Sequence, residues 1–558
     1  MIEWHLFSLS LIEPVKNKHV IPVVPEQEQT PLVKSLQGFI EQLVLQNQLQ
    51  AEEIQRLKDE INILKGEKKR PVFKGGKLDK KTITNKETPK KSAKRPGSNK
   101  KKKTQKLTIH EDKIIQPLEE IPEGSRFKGY RYFTVQNLKI SVHNTRYCLE
   151  RWVTPDKKTL TGNLPTELDN RHFGPQLLSY ILYQHHHCQT TQPLLLEQLR
   201  EWGIDISSGQ INQLLLSGKD KFHAEKDAIL QAGLAASSYV TVDDSGSRHQ
   251  GKNGYVTNIG NDFFAWFQST GSKSRINFLE LLRAGNSDYC LSEAALFYMR
   301  EKKLPSTPLS QLRHYAGQLV ANEEEWSALL DTLAINNSNH RRIATEGALL
   351  GSVLRHGLCD DLVIVSDGAG QFNILLHALC WVHTERLIHK MLPLNDQHRA
   401  EIAMIRGDIW NLYAELKQFK EQPDQSERKE LSTKFDAIFT QKTSYQTLNQ
   451  TLKRIHANKT ELLLVLDRPE IPLHTNGSET DIRDYVKKRK VSGGTRSDEG
   501  RRCRDTFASL KKTCRKLEIS FWDYITDRLG VGSKSTPPLQ DIITERTAFA
   551  TGYLEVTR

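Results

Sequence analysis

Cysteine is scarce in this chain and never closely paired. Its seven cysteines, Cys148, Cys188, Cys290, Cys359, Cys380, Cys503 and Cys514, stand far apart in 558 residues, and no two form a Cys-x-x-Cys. That argues against a disulfide framework or a cysteine-based zinc knuckle and fits reduced thiols. Long apolar runs are missing as well: none approaches the ~20 residues a membrane helix needs. The N-terminal stretch Met1–Pro14 is fairly apolar. It lacks a basic n-region and a small-residue cleavage site, so no signal peptide is expected. The expectation is a cytoplasmic protein with no membrane partner. The length allows roughly three to five domains at ~100–200 residues each, and 37% hydrophobic residues are enough for a sizeable core.

Charge is present but unevenly spread. Lys and Arg number 80 against 67 Asp and Glu, a net +13. Residues 65–106 alone hold 18 basic and three acidic side chains, a net +15, so the rest of the chain sums to −2. A near-neutral body therefore carries one strongly basic segment, which points to a polyanionic partner there. The run Lys100, Lys101, Lys102, Lys103 is its densest part. Such composition cannot bury a core and suits phosphate contact by a disordered segment.

Ahead of it lies a heptad pattern. Val33, Leu36, Ile40, Leu43, Asn47, Gln50, Ile54, Leu57, Ile61 and Leu64 fall at alternating spacings of three and four. Eight of these ten are apolar, and Asn47 at an a position favours a dimeric register. A coiled coil is preferred over a lone amphipathic helix packed on the body. Past the basic segment, residues 130–135 and 138–142 read as short strands. Helices follow at Gln176–His187, Pro193–Trp202 and about Ser208–Phe222, the last with Ser207 as its N-cap. Helix, short turn with Gly, helix matches a helix-turn-helix in outline. Gln210, Asn212, Gln213 and Lys219 could then face bases and phosphates, although most such helix pairs are only packing units. The triplet His185, His186, His187 cannot converge on one ion, because successive helical residues point ~100° apart.

Three short strands then form an antiparallel meander: Ser238–Asp243, Gly254–Gly260 and Phe263–Gln268. A helix is expected over Arg275–Leu282. A buried strand from Leu362 ends at Asp367, and a helical segment after it holds Cys380-Trp381-Val382-His383. A helix opens near Asn476. Three acids sit where such elements begin or end: Asp243, Asp367 and Glu479. Carboxylates at these ends can hold divalent cations, and two ions sharing three carboxylates suit phosphodiester chemistry. Each acid also has a structural explanation. Asp243-Asp244-Ser-Gly and Asp367-Gly are turn sequences, and Asn476-Gly-Ser-Glu479 has capping-box spacing. Periodicity does not choose between Asp243 and Asp244. Asn476, Glu479 and Arg483 share one helix face.

These residues resemble the insertion-sequence-66 family of bacterial transposases over nearly the whole chain. The matching stretches are HFGPQLLSYIL (172–182), TQPLLLEQL (191–199), VTVDDSGSRHQGKNGYVTNIGNDFFAWF (240–267), SKSRINFLELL (272–282), VSDGAGQFN (365–373), CWVHTER (380–386), HTNGSETDIRDYVKKRKVSGGTRSDEGRR (474–502) and SLKKTC (509–514). The resemblance implies an α/β RNase H-like catalytic core with large α-helical insertions, preceded by a coiled coil and a helix-turn-helix region. It maps a DDE triad onto Asp243, Asp367 and Glu479, holding two Mg²⁺ or Mn²⁺ ions. The shared helix face, not the resemblance, offers Asn476 and Arg483 as auxiliaries, and Asp244 stands as a further one beside Asp243. Many members carry a cysteine-rich zinc segment before the helix-turn-helix. Residues 108–170 contain only Cys148, so no zinc is expected. One Cys and one His are too few for a site at Cys380-Trp381-Val382-His383, and core packing is the reading there.

The expected division is therefore a disordered 1–30, a coiled coil at 31–65, a basic disordered linker at 66–107 and a strand-rich 108–170. DNA-binding helices follow at 171–235, then a catalytic core at 236–490 with helical insertions about 286–345 and 396–465, and a helical 491–558. The resemblance implies a transposase that binds the ends of a mobile element and cuts and joins DNA, using double-stranded DNA ends and target. It would pair through the coiled coil and be helped by accessory proteins of the same element. The competing readings are a catalytically silent DNA-binding accessory protein and a nuclease of the same fold that cuts without joining.

Overall fold

A computed structural model of the chain describes residues 30–33, 35, 107–165, 168, 171–356, 361–393 and 395–556. The expected disordered N-terminus, coiled coil and basic linker, including Lys100–Lys103, lie outside the described residues apart from 30–33, 35 and 107. The chain divides after Gln136 into two units, and apart from what is said of residues 107–136 everything below concerns the second.

Little of the stretch expected to be strand-rich is strand. Residues 107–150 contain no strand, and β1 (Arg151–Val153) pairs only with β2 (Thr159–Thr161) in a small antiparallel ribbon. The alternating residues of 130–135 and 138–142 find no neighbouring strand among the described residues, and their apolar side chains are exposed. Helices α1 (Pro175–Leu182), α2 (Gln192–Glu201), α3 (Ser208–Leu216) and α4 (Asp220–Ala236) follow, with a π turn at Tyr183–His187. Ser207 caps α3 as expected, its Oγ accepting from Gln210 N–H while Gln210 Oε1 accepts from Ser207 N–H. The single helix expected to reach Phe222 instead stops at Leu216. Gly218, at φ +65°, turns the chain into α4.

The meander forms as β3 (Tyr239–Gly246), β4 (Tyr255–Gly260) and β5 (Ala265–Thr270), followed by α5 (Arg275–Leu282). Next come β6 (Tyr289–Cys290), α6 (Glu293–Glu301), α7 (Ser306–Arg313), β7 (Leu319–Val320), α8 (Glu323–Thr332) and α9 (Ser338–Arg355). Strand β8 (Val363–Ser366) leads to β9 (Leu376–Leu379), a short strand where the sequence pattern suggested only helix. Then follow α10 (Trp381–His389), α11 (Asp396–Glu421), α12 (Gln425–Phe439), α13 (Gln446–His456), α14 (Lys459–Leu462), α15 (Asn476–Ser492), α16 (Asp498–Lys516), α17 (Phe521–Arg528) and α18 (Leu539–Val556).

The main sheet has the order β5-β4-β3-β8-β9, antiparallel through the first three strands and parallel from β3 through β8 to β9. Its two faces bury different partners. Val240, Val242, Ile259 and Ile364 join one core with Leu178, Leu195, Ile211, Ile229, Leu349 and Phe507. Helices α1–α4 thus share the core of the sheet and are not a separate lobe. Val363, Val365 and Ala378 face the other way, into a second core built by α10–α14, which contains the helical stretch expected at 396–465. A strand buried on both faces explains why β8 reads as an unbroken apolar run.

Edge strand β5 is closed by a helix. Three side chains of α16 one turn apart meet its backbone at alternate residues. Thr513 Oγ1 accepts from Ala265 N–H (3.2 Å), Ser509 Oγ from Phe267 N–H (2.9 Å) and Asp505 Oδ2 from Ser269 N–H (2.7 Å). Four helical residues rise ~6.0 Å and two strand residues ~6.8 Å, so the spacings nearly match. This satisfies donors that an open edge would expose. It also makes α16, expected in a separate C-terminal region, part of the sheet's own packing.

Candidate active site

Strand register brings two of the acids level. Tyr239 lies opposite Val363, Val240 opposite Ile364 and Thr241 opposite Val365 in the parallel pair β3 and β8. The same register carried two residues further sets Asp243 beside Asp367, the first residue past β8. Neighbouring strands lie ~4.8 Å apart, and residues at equal register project to the same face. That face is the one of Val363 and Val365, covered by α10–α14. Asp244 points to the opposite face. There its Oδ1 accepts from Thr257 Oγ1 (2.5 Å) and its Oδ2 from Gln371 Nε2 (2.9 Å).

Asp367 is exposed in a tight turn made by Gly368 at φ +92°, and its Oδ1 accepts from Ala369 N–H (3.0 Å). Arg275 steadies this turn by donating to the Gly370 carbonyl. Arg275 is itself held by buried Glu346, 3.4 Å away. Glu479 lies in the first turn of α15. The capping-box alternative for it is not realised, since the N-cap is Thr475 and no side chain caps the helix. Its carboxylate is instead approached by His383 Nε2 at 3.4 Å and Arg386 Nη1 at 3.5 Å.

The acids act on one another. Burial pushes the Asp243 carboxyl up from the ordinary 3.8 to about 6, and the charges of Asp367, Asp244 and Glu479 add to the rise against a lowering hydrogen bond from Asp244 N–H. Segments 124 and 112 residues apart are thus within electrostatic reach at one end of the sheet. Among the described residues no three His, Cys, Asp or Glu side chains converge tightly enough to form a finished metal cage. Mutually repelling carboxylates are expected to stand apart until a cation draws them in.

A pH dependence follows. A carboxyl whose folded-state value is raised contributes stability that is full below about pH 4 and lost as pH rises through about 6. At neutral pH its ionised form is a local cost. In a chelator, Asp243→Asn is therefore expected to raise unfolding stability at pH 8 by on the order of 2 kcal/mol. Below pH 4 it should leave stability unchanged, as denaturant titrations at the two pH values would read.

The other candidate residues are placed as follows. Asn476 and Arg483 are exposed on α15 near Glu479. Gln210, Asn212 and Gln213 are exposed on α3, although the Gln210 side chain is occupied in capping. Lys219, expected to be exposed, is only 2% accessible. Its Nζ donates to the Ser217 carbonyl (2.8 Å), and burial pushes its ammonium down to about 8. The break at Gly218 turned it inward. The rings of His185, His186 and His187 diverge, meeting the Thr190 carbonyl, Phe507 and Tyr183 respectively. Sequence reasoning missed Gln371, His383 and Arg386 at this site. The only signal for them was that all three lie inside the stretches VSDGAGQFN and CWVHTER.

The chain is thus an α/β protein with a mixed five-stranded sheet and acids gathered at one end of its inner strands β3 and β8. A family model, that of the IS66 transposase family, matches residues 339–502, which include Asp367 and Glu479. The chain is also 40% identical over 317 residues to the uncharacterized protein y4jO of Sinorhizobium fredii, an alignment spanning 56% of this chain and 99% of that protein. The chain belongs to the IS66 transposase family.

Proposed function

We propose that the chain is a DDE transposase with an RNase H-like catalytic core, in which Asp243, Asp367 and Glu479 are the metal-holding acids. The observation that carries this reading is the register of β3 and β8, which sets Asp243 level with Asp367. The strand order, three antiparallel strands continued by two parallel ones, supports the core assignment. The donor set fits a hard divalent cation such as Mg²⁺ or Mn²⁺: carboxylate oxygens on Asp243, Asp367 and Glu479, close enough to act on one another. When bound, two such cations supply Lewis-acid polarisation of a phosphodiester and activation of the attacking oxygen.

The chain's own residues do the rest. Asp243 and Asp367 present their carboxylates from a rigid sheet, and Glu479 closes the set from the first turn of α15. Exposed Arg483, one turn further on, steadies a DNA phosphate, and Asn476 orients the third acid. The α3 face with Gln210, Asn212 and Gln213 meets the element's end. Lys100–Lys103 add sequence-independent phosphate contacts, and the heptads of 31–65 pair two copies so that two ends are held together.

The test is incubation of the full chain with a DNA fragment carrying the element's own end, in Mg²⁺ and in chelator. Joined product that appears only with Mg²⁺ supports a transposase. Cutting without joining would make it a nuclease, and tight binding with neither would make it an accessory protein.

A further inference from the structure

The run Cys380-Trp381-Val382-His383 has no part in the reading above, yet it ties two acid-bearing segments together. Cys380 N–H donates to the carbonyl of Ser366, the neighbour of Asp367 (2.9 Å). Cys380 Sγ accepts from the N–H of Thr475, the residue that caps α15 (3.4 Å). Trp381 N–H donates to the Leu473 carbonyl and its indole Nε1–H to the Leu462 carbonyl, both at 3.0 Å. Cys380 and Trp381 are each 1% accessible, so this junction is fixed from within the core.

One turn further on, the same helix reaches Glu479. Spacing of three places Cys380, His383 and Arg386 on one face of α10. His383 Nε2 and Arg386 Nη1 approach the same carboxylate oxygen of Glu479, at 3.4 and 3.5 Å, and lie 3.2 Å from each other. These contacts are long for strong hydrogen bonds. They orient the carboxylate without locking it. A Glu side chain has several free torsions, and the nearby acids repel it, so without such partners it would swing away from the sheet.

We propose that Cys380 and His383 are positioning residues for Glu479: Cys380 sets the start of α15 against the end of β8, and His383 holds the Glu479 carboxylate ready for a divalent cation. The inference rests on the reading of Glu479 as the third acid. Partners of metal ligands that do not themselves touch the ion typically change its affinity about 10–100-fold when removed.

The experiment measures Mn²⁺ binding to the full chain without DNA, by the loss of the free-ion electron paramagnetic resonance signal. The variants are His383→Ala, His383→Gln, Cys380→Ala, Cys380→Ser and Asp367→Asn. His383→Ala and Cys380→Ala are expected to weaken binding about tenfold. His383→Gln and Cys380→Ser, which keep a polar atom near the same place, should recover most of it. In cutting assays His383→Ala should raise the Mn²⁺ concentration for half-maximal rate more than it lowers the maximal rate. Unchanged Mn²⁺ affinity in both alanine variants would overturn the inference. So would unchanged affinity with a collapsed maximal rate, which would make His383 a residue that touches the DNA. If wild type and Asp367→Asn bind Mn²⁺ equally, the reading of the three acids fails, and this inference falls with it.

Discussion

Asp243→Asn and Asp367→Asn should each lower metal-dependent cutting and joining by about a thousandfold, whereas Asp244→Asn should lose less than about tenfold. Losing one carboxylate that holds a catalytic cation removes several kcal/mol of transition-state stabilisation, and ~4 kcal/mol is roughly three orders of magnitude in rate. Asp244 faces away from this site and serves Thr257 and Gln371. An Asn there keeps one acceptor oxygen, so about one hydrogen bond of ~1 kcal/mol is at stake. Rates would be measured on element-end DNA at saturating Mg²⁺, with DNA affinity measured alongside. If Asp244→Asn fell as far as Asp243→Asn, the register argument would be wrong. Asp243→Asn should also be the variant that gains stability at pH 8 without metal, so lost activity there cannot be blamed on misfolding. Stability given up at a working site is a common exchange in enzymes.

The second large effect is on folding. Asp505→Ala should cost about 3–5 kcal/mol, the usual range when one member of a buried polar network is removed. Asp505 is fully buried. It accepts from Ser269 N–H (2.7 Å), Ser269 Oγ (3.0 Å) and Tyr485 Oη (2.6 Å), and the charge of buried Lys226 favours its ionised form. Alanine would strand Ser269 N–H and leave Ser269 Oγ and Tyr485 Oη with only each other, 3.3 Å apart. Asp505→Asn keeps an acceptor and should cost less. Ser509→Ala, which removes a single rung on Phe267, should cost about 1 kcal/mol. Urea unfolding midpoints would rank the three. An unchanged midpoint for Asp505→Ala would show that α16 does not close the sheet edge.

This rung pattern shows how a motif can be visible before its meaning is. Residues 509–514 stand out in the sequence only as a string resembling the family, and nothing in the string says that Ser509 and Thr513 substitute for a neighbouring strand. The spacing of four is ordinary for a helix. It becomes informative only when laid against a strand whose alternate N–H groups need partners. Cys380 and His383 behave the same way. Counting ligands excluded a metal site there and left core packing, because their partners, Ser366, Thr475 and Glu479, are distant in the chain.

Local physics decided much of this protein in advance. The β-branched meander, the helix over Arg275–Leu282, the Ser207 cap and the apolar strand ending at Asp367 follow from alternation, propensity and capping, which act over a few residues. The alternating residues of 130–142 failed as strands because a strand needs a neighbour and none of the described residues supplies one. Lys219 went inward because one glycine broke a helix that its periodicity would have continued. Only the tertiary structure sets Asp243, and not Asp244, level with Asp367. Alternation puts the two on opposite faces, but which of them lies beside Asp367 depends on the register with β8, a strand more than a hundred residues away in the chain.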